Sequence, residues 1–363
     1  MRAARYAAVA LVLALAGCSS DDTTAEPEPT ASPTEQQTSS EPASPSASSP
    51  TDGASRSSTT LHWKPVAGPV RDSVTTSGDW TLTVKNNGAS WALDGPRGGS
   101  GGGASGFRVS DALMDASWAV VVLQDRTEEQ PSRAEVTDLG TGKTFTIDGK
   151  SDIPTTNGGT WALGEGRVLH ATVSKGSYCL ASVDLATRKS TLGWCAPERH
   201  GFNDARITPA GDSVLSFDSG RPSCRTLMSV DGSDGTPFAG VPDCKAWDGL
   251  RTEDGTVWSV IPNEHRIEAA HFYATTADGQ EDLGPGTAGT LIWCGGAAWF
   301  ARDPQQEGDP AALMRWTADD GVTVAYETPG GRAFLAAPRC GGDTITVTAM
   351  AAKGDEQVTA SIS

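Results

Sequence analysis

The sequence lacks three features, and each absence removes a class of protein from consideration. Beyond its N-terminus it has no apolar run near the ~20 residues that a helix needs to cross a bilayer, so no membrane-spanning helix is predicted. Basic residues are few, 28 Lys and Arg against 45 Asp and Glu, and a formal charge of −17 argues against nucleic acid and anionic lipid surfaces as partners. The seven cysteines include no close Cys-x-x-Cys pair, so no structural zinc site is predicted.

The first 17 residues are typical of an export signal. Arg2 and Arg5 supply positive charge, an apolar core covers residues 7–15, and small residues lead to Cys18. Leu15-Ala16-Gly17-Cys18 resembles the lipobox of bacterial lipoproteins. That resemblance implies cleavage before Cys18, lipid attachment to Cys18, and a location on the extracytoplasmic face of the cell membrane. The alternative is an ordinary secretory signal with an incidental cysteine.

Composition divides the remaining chain in two. Residues 18–60 consist largely of Ser, Thr, Pro and Glu after the cysteine and cannot bury enough apolar surface to offset the entropy of ordering, which predicts a disordered linker. Residues 61–363 contain no second linker of that length, so we expect one large domain. The excess of Arg over Lys, with abundant Ala, Gly, Asp and Thr, indicates a high-GC actinobacterial source.

A unit of strand, tight turn and strand recurs along residues 61–363. We mark one residue of each unit, in the strand that follows the turn. Successive marks lie 38 to 50 residues apart, which brackets the ~40–50-residue period of four-stranded propeller blades. The seven marks are Trp80, Trp118, Val168, Val214, Val257, Ala298 and Thr344.

This pattern resembles a β-propeller, loosely of the WD-repeat type, although the paired Gly-His and Trp-Asp signature of WD repeats is absent. The resemblance implies an all-β ring, for which we favour seven blades. Residues 61–66 are expected to complete a last blade formed by residues 345–347 and 357–362, because such closure removes open sheet edges. Six blades remain possible if the Trp80 unit belongs to that closing blade, and a two-sheet sandwich array is the other alternative.

Six cysteines remain after Cys18 and fall into three plausible disulfides, which an exported protein can form. Two pairs flank hairpin-like stretches, and the third occupies equivalent positions of two similar hairpins. The predicted pairs are Cys179 with Cys195, Cys224 with Cys244, and Cys294 with Cys340.

Motifs for catalysis or cofactor binding are few. Residues 98–102 formally match the Gly-x-Ser-x-Gly nucleophile elbow, but the glycine run predicts a flexible loop without the flanking strand and helix. Glu264, His265, Glu268 and His271 are interpreted as a solvated face because a strand would separate the two histidines by ~20 Å. No metal or cofactor is predicted.

One candidate ligand face combines charge, imidazole and aromatic surface in segments that we interpret as inter-blade connections. Its residues are Arg199, His200, Asp204, Trp247, Asp248 and Arg251.

Two functions remain open for this domain, which we expect to be monomeric. The first is a binding or scaffolding module for an envelope protein, peptide or glycan. The second is a hydrolase or lyase acting on an extracellular polymer. No acid–base pair can be assigned from the sequence, which favours binding. Carboxylates about 5–10 Å apart at the channel mouth would favour the enzyme.

Overall fold

The computed structural model describes residues 61–263, 265–329 and 333–362. Over these residues the chain is all β apart from two single-turn 3₁₀ helices, Asn86–Gly88 and Ile267–Ala269. The predicted signal, Cys18 and the linker 18–60 lie outside the described residues, as does Glu264. No helix of the described ranges is long and apolar enough to cross a membrane.

Seven antiparallel sheets, here called blades 1 to 7, follow one another along the chain. The first strand, β1 (Lys64–Pro65), belongs to blade 7. Blade 1 comprises β2 (Ser73–Ser77), β3 (Trp80–Lys85), β4 (Ser90–Asp94) and β5 (Ser100–Gly103); blade 2 comprises β6 (Phe107–Met114), β7 (Trp118–Asp125), β8 (Arg133–Asp138) and β9 (Thr144–Ile147). Blade 3 comprises β10 (Trp161–Gly164), β11 (Arg167–Ser174), β12 (Ser177–Asp184) and β13 (Ser190–Cys195); blade 4 comprises β14 (His200–Thr208), β15 (Gly211–Asp218), β16 (Arg225–Asp231) and β17 (Asp234–Pro237).

The remaining three blades follow the same order. Blade 5 comprises β18 (Ala246–Thr252), β19 (Gly255–Val260), β20 (Ala270–Thr276) and β21 (Gly279–Gly286); blade 6 comprises β22 (Ile292–Cys294), β23 (Ala297–Arg302), β24 (Ala312–Thr317) and β25 (Gly321–Glu327). In blade 7 the first strand is split into β26 (Ala333–Leu335) and β27 (Arg339–Cys340), which both pair with β28 (Thr344–Ala351). The next strand across the sheet is β29 (Glu356–Ser361), and β1 lies outermost beside it.

The N-terminal strand closes the ring, as predicted. Lys64 lies opposite Thr359 and Pro65 opposite Val358, and the backbone N–H of Val66 donates to the carbonyl of Gln357 at 2.8 Å. The Trp80 unit forms blade 1 by itself, which confirms seven blades and excludes six. Closure of this kind leaves β29 with a partner on its outer edge.

Apolar clusters lie between successive blades from blade 1 to blade 7, so blades 2 to 6 are covered on both faces. The middle of β7 is therefore a continuous buried run instead of an alternating one. Between blades 5 and 6 the rings of Phe272 and Phe300 stack with centroids 4.1 Å apart, and Trp316 packs into the same cluster with 1% of its surface exposed. Aromatic pairs of this kind add ~0.5–1.5 kcal/mol beyond the area that they bury.

All three predicted disulfides are present. Cys179–Cys195 joins β12 to β13 within blade 3, and Cys224–Cys244 joins the β15–β16 connection to the segment entering β18. Cys294–Cys340 joins the last residues of β22 and β27, so it links two neighbouring blades. Each disulfide is expected to contribute ~2–4 kcal/mol to stability.

The glycine run at residues 98–102 is not the flexible loop that the sequence predicted. Ser100–Gly103 forms β5, the outer strand of blade 1. A side chain at Gly101 would place its Cβ 2.8 Å from the carbonyl oxygen of Trp91, and one at Gly102 would meet the indole nitrogen of Trp91 at 3.2 Å. The missing side chains thus let β5 close on β4. No helix follows, so the rejection of a nucleophile elbow stands.

Candidate functional site

The first strand of each blade lies nearest the centre of the ring. These inner strands contact one another in order from blade 1 to blade 5, and again from blade 6 through blade 7 to blade 1. Each inner strand starts from an inter-blade connection and ends at the tight turn to the second strand. The central channel therefore has two ends. We call them the connection mouth, where the inner strands begin, and the turn mouth, where they end.

A cavity of about 550 Å³ lies toward the turn mouth and is here called the channel cavity. Blades 2, 3, 4, 6 and 7 all contribute to its wall, which includes the indoles of Trp161 and Trp293 and the side chains of Arg206 and Arg339. Its volume lies within the ~300–1,000 Å³ typical of pockets for small ligands.

Blade 7 reaches across blade 1 to complete this wall. Gly341, in the turn after β27, forms an isolated bridge with Met114 of blade 2. A Cβ at Gly341 would lie only 1.8 Å from the carbonyl oxygen of Thr76 in blade 1. Only glycine allows this close approach of the two backbones. The Gly341 turn therefore covers the end of β2, and the cavity wall passes directly from blade 7 to blade 2.

A smaller cavity of about 400 Å³, here called the side cavity, lies between blades 4 and 5 nearer the connection mouth. Asp204, Trp247 and Asp248 line it, and the guanidinium of Arg225 lies 4.7 Å from the centroid of the Trp247 ring. Gly289 lines both cavities. The two cavities are thus adjacent, and they share the segment that joins blade 5 to blade 6.

Asp248 is a buried carboxyl group with 1% of its surface exposed. The backbone N–H of Gly289 donates to Oδ1 at 3.0 Å and to Oδ2 at 2.8 Å, and the Ser259 hydroxyl donates to Oδ2 at 2.9 Å. Burial, together with the negative charge of Asp204, raises the pKa of Asp248 to about 7. These bonds join β18 to β19 and to the connection before blade 6.

Asp204 and Arg206 form an ion pair where the two cavities meet. Arg206 Nη2 lies 2.5 Å from Asp204 Oδ1, and the side chains are 29% and 22% exposed. Asp204 lines the side cavity and Arg206 lines the channel cavity. Burial raises the pKa of Asp204 against the opposing charge of Arg206. Asp204 Oδ2 is buried without a hydrogen-bond partner among the described residues.

Three inner strands carry a β-bulge at or next to an aspartate. The register shifts between Val109 and Asp111 in β6, between Asn203 and Arg206 in β14, and between Ala246 and Gly249 in β18. A bulge inserts one residue and redirects the neighbouring side chains, which is common beside functional sites. Burial also raises the pKa of Asp111, and the charge of Arg206 opposes this. The positive charge of Arg206 thus acts to lower the pKa of three carboxyl groups, those of Asp111, Asp204 and Asp248.

The structure brings together only part of the predicted ligand face. Asp204, Trp247 and Asp248 surround the side cavity. Arg199 is exposed, and His200 is exposed at the start of β14 with Nδ1 3.0 Å from the Glu198 carbonyl oxygen.

Arg251 lies at the opposite end of its blade, and a Cβ on Gly211, the first residue of β15, would lie 2.4 Å from its guanidinium. Five of the predicted residues belong to inner strands, so their placement in connections was wrong: His200, Asp204, Trp247, Asp248 and Arg251. The bulges interrupt the apolar alternation, and for that reason these polar residues resemble a connection in the sequence.

Sequence reasoning did not single out Arg206, Arg339, Asp111 or Trp293 as site residues. Arg206 and Asp111 are charged residues inside strands, and this unusual position is the one feature of the local sequence that could have indicated a site. A charged residue in a strand does not, however, show which strands line the channel. Across the described residues, no group of three or more His, Cys, Asp or Glu is placed to hold a metal ion.

Fold and channel together define a seven-bladed β-propeller, and solved structures share this fold. No protein-family model and no curated protein matches the chain. The β-propeller domain of the trilobed protease from Pyrococcus furiosus, described as having an open velcro topology, superposes with a TM-score of 0.52 at 11% identity over 80% of this chain and 95% of that chain. A prolyl endopeptidase superposes with a TM-score of 0.54 at 13% identity over 80% of this chain, which covers 46% of that chain. These identities support the fold alone.

Proposed function

We propose that the chain is a bacterial lipoprotein whose propeller is a binding module for a ligand from the cell envelope, held in the channel cavity. The observation that carries this proposal is a cavity of about 550 Å³ lined from five blades and combining indole surface with guanidinium groups. Apolar walls with a few placed polar groups are characteristic of ligand sites. The lipobox-like segment ending at Cys18 supports attachment to the membrane and an extracytoplasmic location.

A variant that fills the cavity tests this proposal. Ala337 is exposed and lines the channel cavity, so Ala337→Trp adds bulk there without displacing a core residue. Ala186, exposed in the β12–β13 turn and outside the lining, provides the control Ala186→Trp. Tagged full-length proteins are crosslinked in cells, and the captured molecules are identified by mass spectrometry. We expect the unmodified protein and Ala186→Trp to capture the same peptide, protein segment or glycan, and Ala337→Trp to lose it. Equal capture by all three would contradict binding in the channel cavity.

A hydrolase or lyase is the second candidate, because Asp204 and Asp248 line one cavity and the pKa of Asp248 is raised to about 7. A carboxyl group near neutrality suits general acid or base catalysis. One superposed structure is the propeller domain of a protease and the other is a prolyl endopeptidase, which is consistent with this alternative. Both oxygens of Asp248 already accept bonds from the chain itself, which favours a structural role and hence the binding module. Cleavage of an envelope polymer by the purified protein, abolished in Asp204→Asn, would favour the enzyme.

A further inference from the structure

Arg339 is a largely buried cation in the wall of the channel cavity. Its Nε donates to the carbonyl oxygen of Val74 at 3.3 Å, and its Nη2 donates to the hydroxyl of Thr348 at 3.4 Å. Both acceptors are neutral, both contacts are long, and a guanidinium has five N–H donors. No Asp or Glu of the described residues forms an ion pair with it. Burial lowers the pKa of Arg339, with no neighbouring carboxylate to oppose the shift.

Arg206 lines the same cavity, but unlike Arg339 it has a carboxylate partner. Its guanidinium is paired with Asp204 at 2.5 Å, and its charge also acts on Asp111 and Asp248. Of the two guanidinium groups in the wall, one is compensated by the protein and the other is not. Arginine stays protonated at neutral pH, so Arg339 remains charged despite its burial. Buried charges in proteins are normally paired, which makes an anionic ligand group the missing partner.

The rest of the wall restricts which anion fits. Apolar side chains of Leu113, Ile207 and Ile292 line the cavity together with the two indoles. At the turn mouth stand the carboxylates of Asp115 and Glu165. A polyanionic glycan would place further carboxylates beside this acidic rim, on a chain whose formal charge is −17. A ligand with a single carboxylate and an apolar body avoids that repulsion.

We infer that the channel cavity takes the C-terminal end of a peptide, with the terminal carboxylate on Arg339 and an apolar last side chain against the indoles. The inference rests on the proposed function, since it names the ligand chemistry of the same cavity. A guanidinium fork matches the two oxygens of a carboxylate and forms charge-assisted hydrogen bonds with both. Capture of a C-terminal carboxylate is a recurring mode of peptide recognition.

The test compares two pools of N-acetylated tripeptides with uncharged side chains, one with free C-terminal carboxylates and one with C-terminal amides. Binding to the full-length protein in detergent micelles is measured by affinity selection and mass spectrometry. We expect the amides to bind about 10- to 100-fold more weakly, as loss of a charged hydrogen-bond pair predicts. Arg339→Gln should abolish the difference, Arg339→Lys should keep part of it, and exposed Arg71→Gln should leave it unchanged.

Each outcome separates the inference from the proposed function. Equal binding of the two pools would overturn the carboxylate inference and leave a peptide-binding cavity. Binding of a pool of envelope oligosaccharides, with neither peptide pool bound, would overturn the inference and leave a glycan-binding module. If neither peptides nor oligosaccharides bind, the inference and the proposed function fail together. Should Arg339→Gln not fold, the comparison of acid and amide on the unmodified protein still decides.

Discussion

Asp248 and His170 are buried groups whose protonation affects stability in opposite directions. The folded pKa of Asp248 is raised to about 7 from 3.8, so the folded state binds the proton more tightly than the unfolded chain. The contribution of Asp248 to stability is therefore largest at low pH and is lost as pH rises toward 7, at up to ~1.4 kcal/mol per pH unit. Asn mimics the neutral carboxyl group, so Asp248→Asn should remove this slope. Urea unfolding between pH 4 and 8 measures it, with exposed Asp254→Asn as the control.

His170 lies in β11 with none of its surface exposed, stacked on Trp161 at 5.3 Å. Its Nδ1 lies 3.0 Å from the carbonyl oxygen of Ala171, and its Nε2 is buried without a partner in the described ranges. Burial lowers the pKa of His170, so the unfolded chain binds the proton more tightly. Stability should therefore fall as pH decreases below ~6.5, the unperturbed value for histidine.

The variant His170→Phe keeps the stacking on Trp161 and removes the titration. We expect a smaller loss of stability between pH 7 and 5 than in the unmodified protein, measured by urea midpoints. His200→Phe, at an exposed position, should keep the original profile. An unchanged acid-side loss in His170→Phe would show that another group causes it.

Among the elements, the inner strands β22 and β27 are joined by Cys294–Cys340, whereas Cys179–Cys195 joins two strands of one blade. The sequence separations are 46 and 16 residues. If a disulfide acts by restricting the unfolded chain, replacing the Cys294–Cys340 pair with alanines should cost about 1 kcal/mol more than replacing the Cys179–Cys195 pair. Denaturant unfolding of both double variants measures the difference. Equal losses would mean that chain entropy does not determine the contribution of these bonds.

The second strands of the blades were predictable, and the inner strands were not. Trp80, Trp118 and Thr344 begin β3, β7 and β28, and the other four register marks lie within the second strands β11, β15, β19 and β23. Second strands are buried on both faces and follow a tight turn, so their sequences are apolar and regularly spaced. The inner strands β14 and β18 contain bulges and charged residues, which depend on neighbours far away in the sequence. The ion pair of Asp204 and Arg206, and the uncompensated Arg339, could be found only once the ring was closed.

For the whole molecule, the proposed membrane attachment depends on one residue. We expect Cys18→Ala to shift the protein from the membrane to the soluble fraction, because the variant would carry no acyl chains. A protein with a formal charge of −17 is not attracted to anionic lipids, so electrostatic binding would not replace the lost anchor. Ser19→Ala should leave the distribution unchanged. Ultracentrifugation of lysed cells followed by immunoblotting makes the comparison. A Cys18→Ala variant that still sediments with membranes would contradict the lipoprotein assignment.

The closing strand β1 also determines how the ring responds to mechanical force. It contributes only the pairs Lys64 with Thr359 and Pro65 with Val358, followed by the bond from Val66 to Gln357. The residue before β1 is also held, because the indole N–H of Trp63 donates to the carbonyl oxygen of Ala325 at 2.9 Å and Trp63 packs against the apolar cluster between blades 6 and 7. A pull on the chain before Trp63 is therefore expected to load this side chain and then the few backbone contacts of β1. Detachment of this segment would expose the edge of β29, whereas the residues that line the channel cavity lie in other strands and turns. We therefore expect the ring to yield at its rim before the wall of the channel cavity is disturbed.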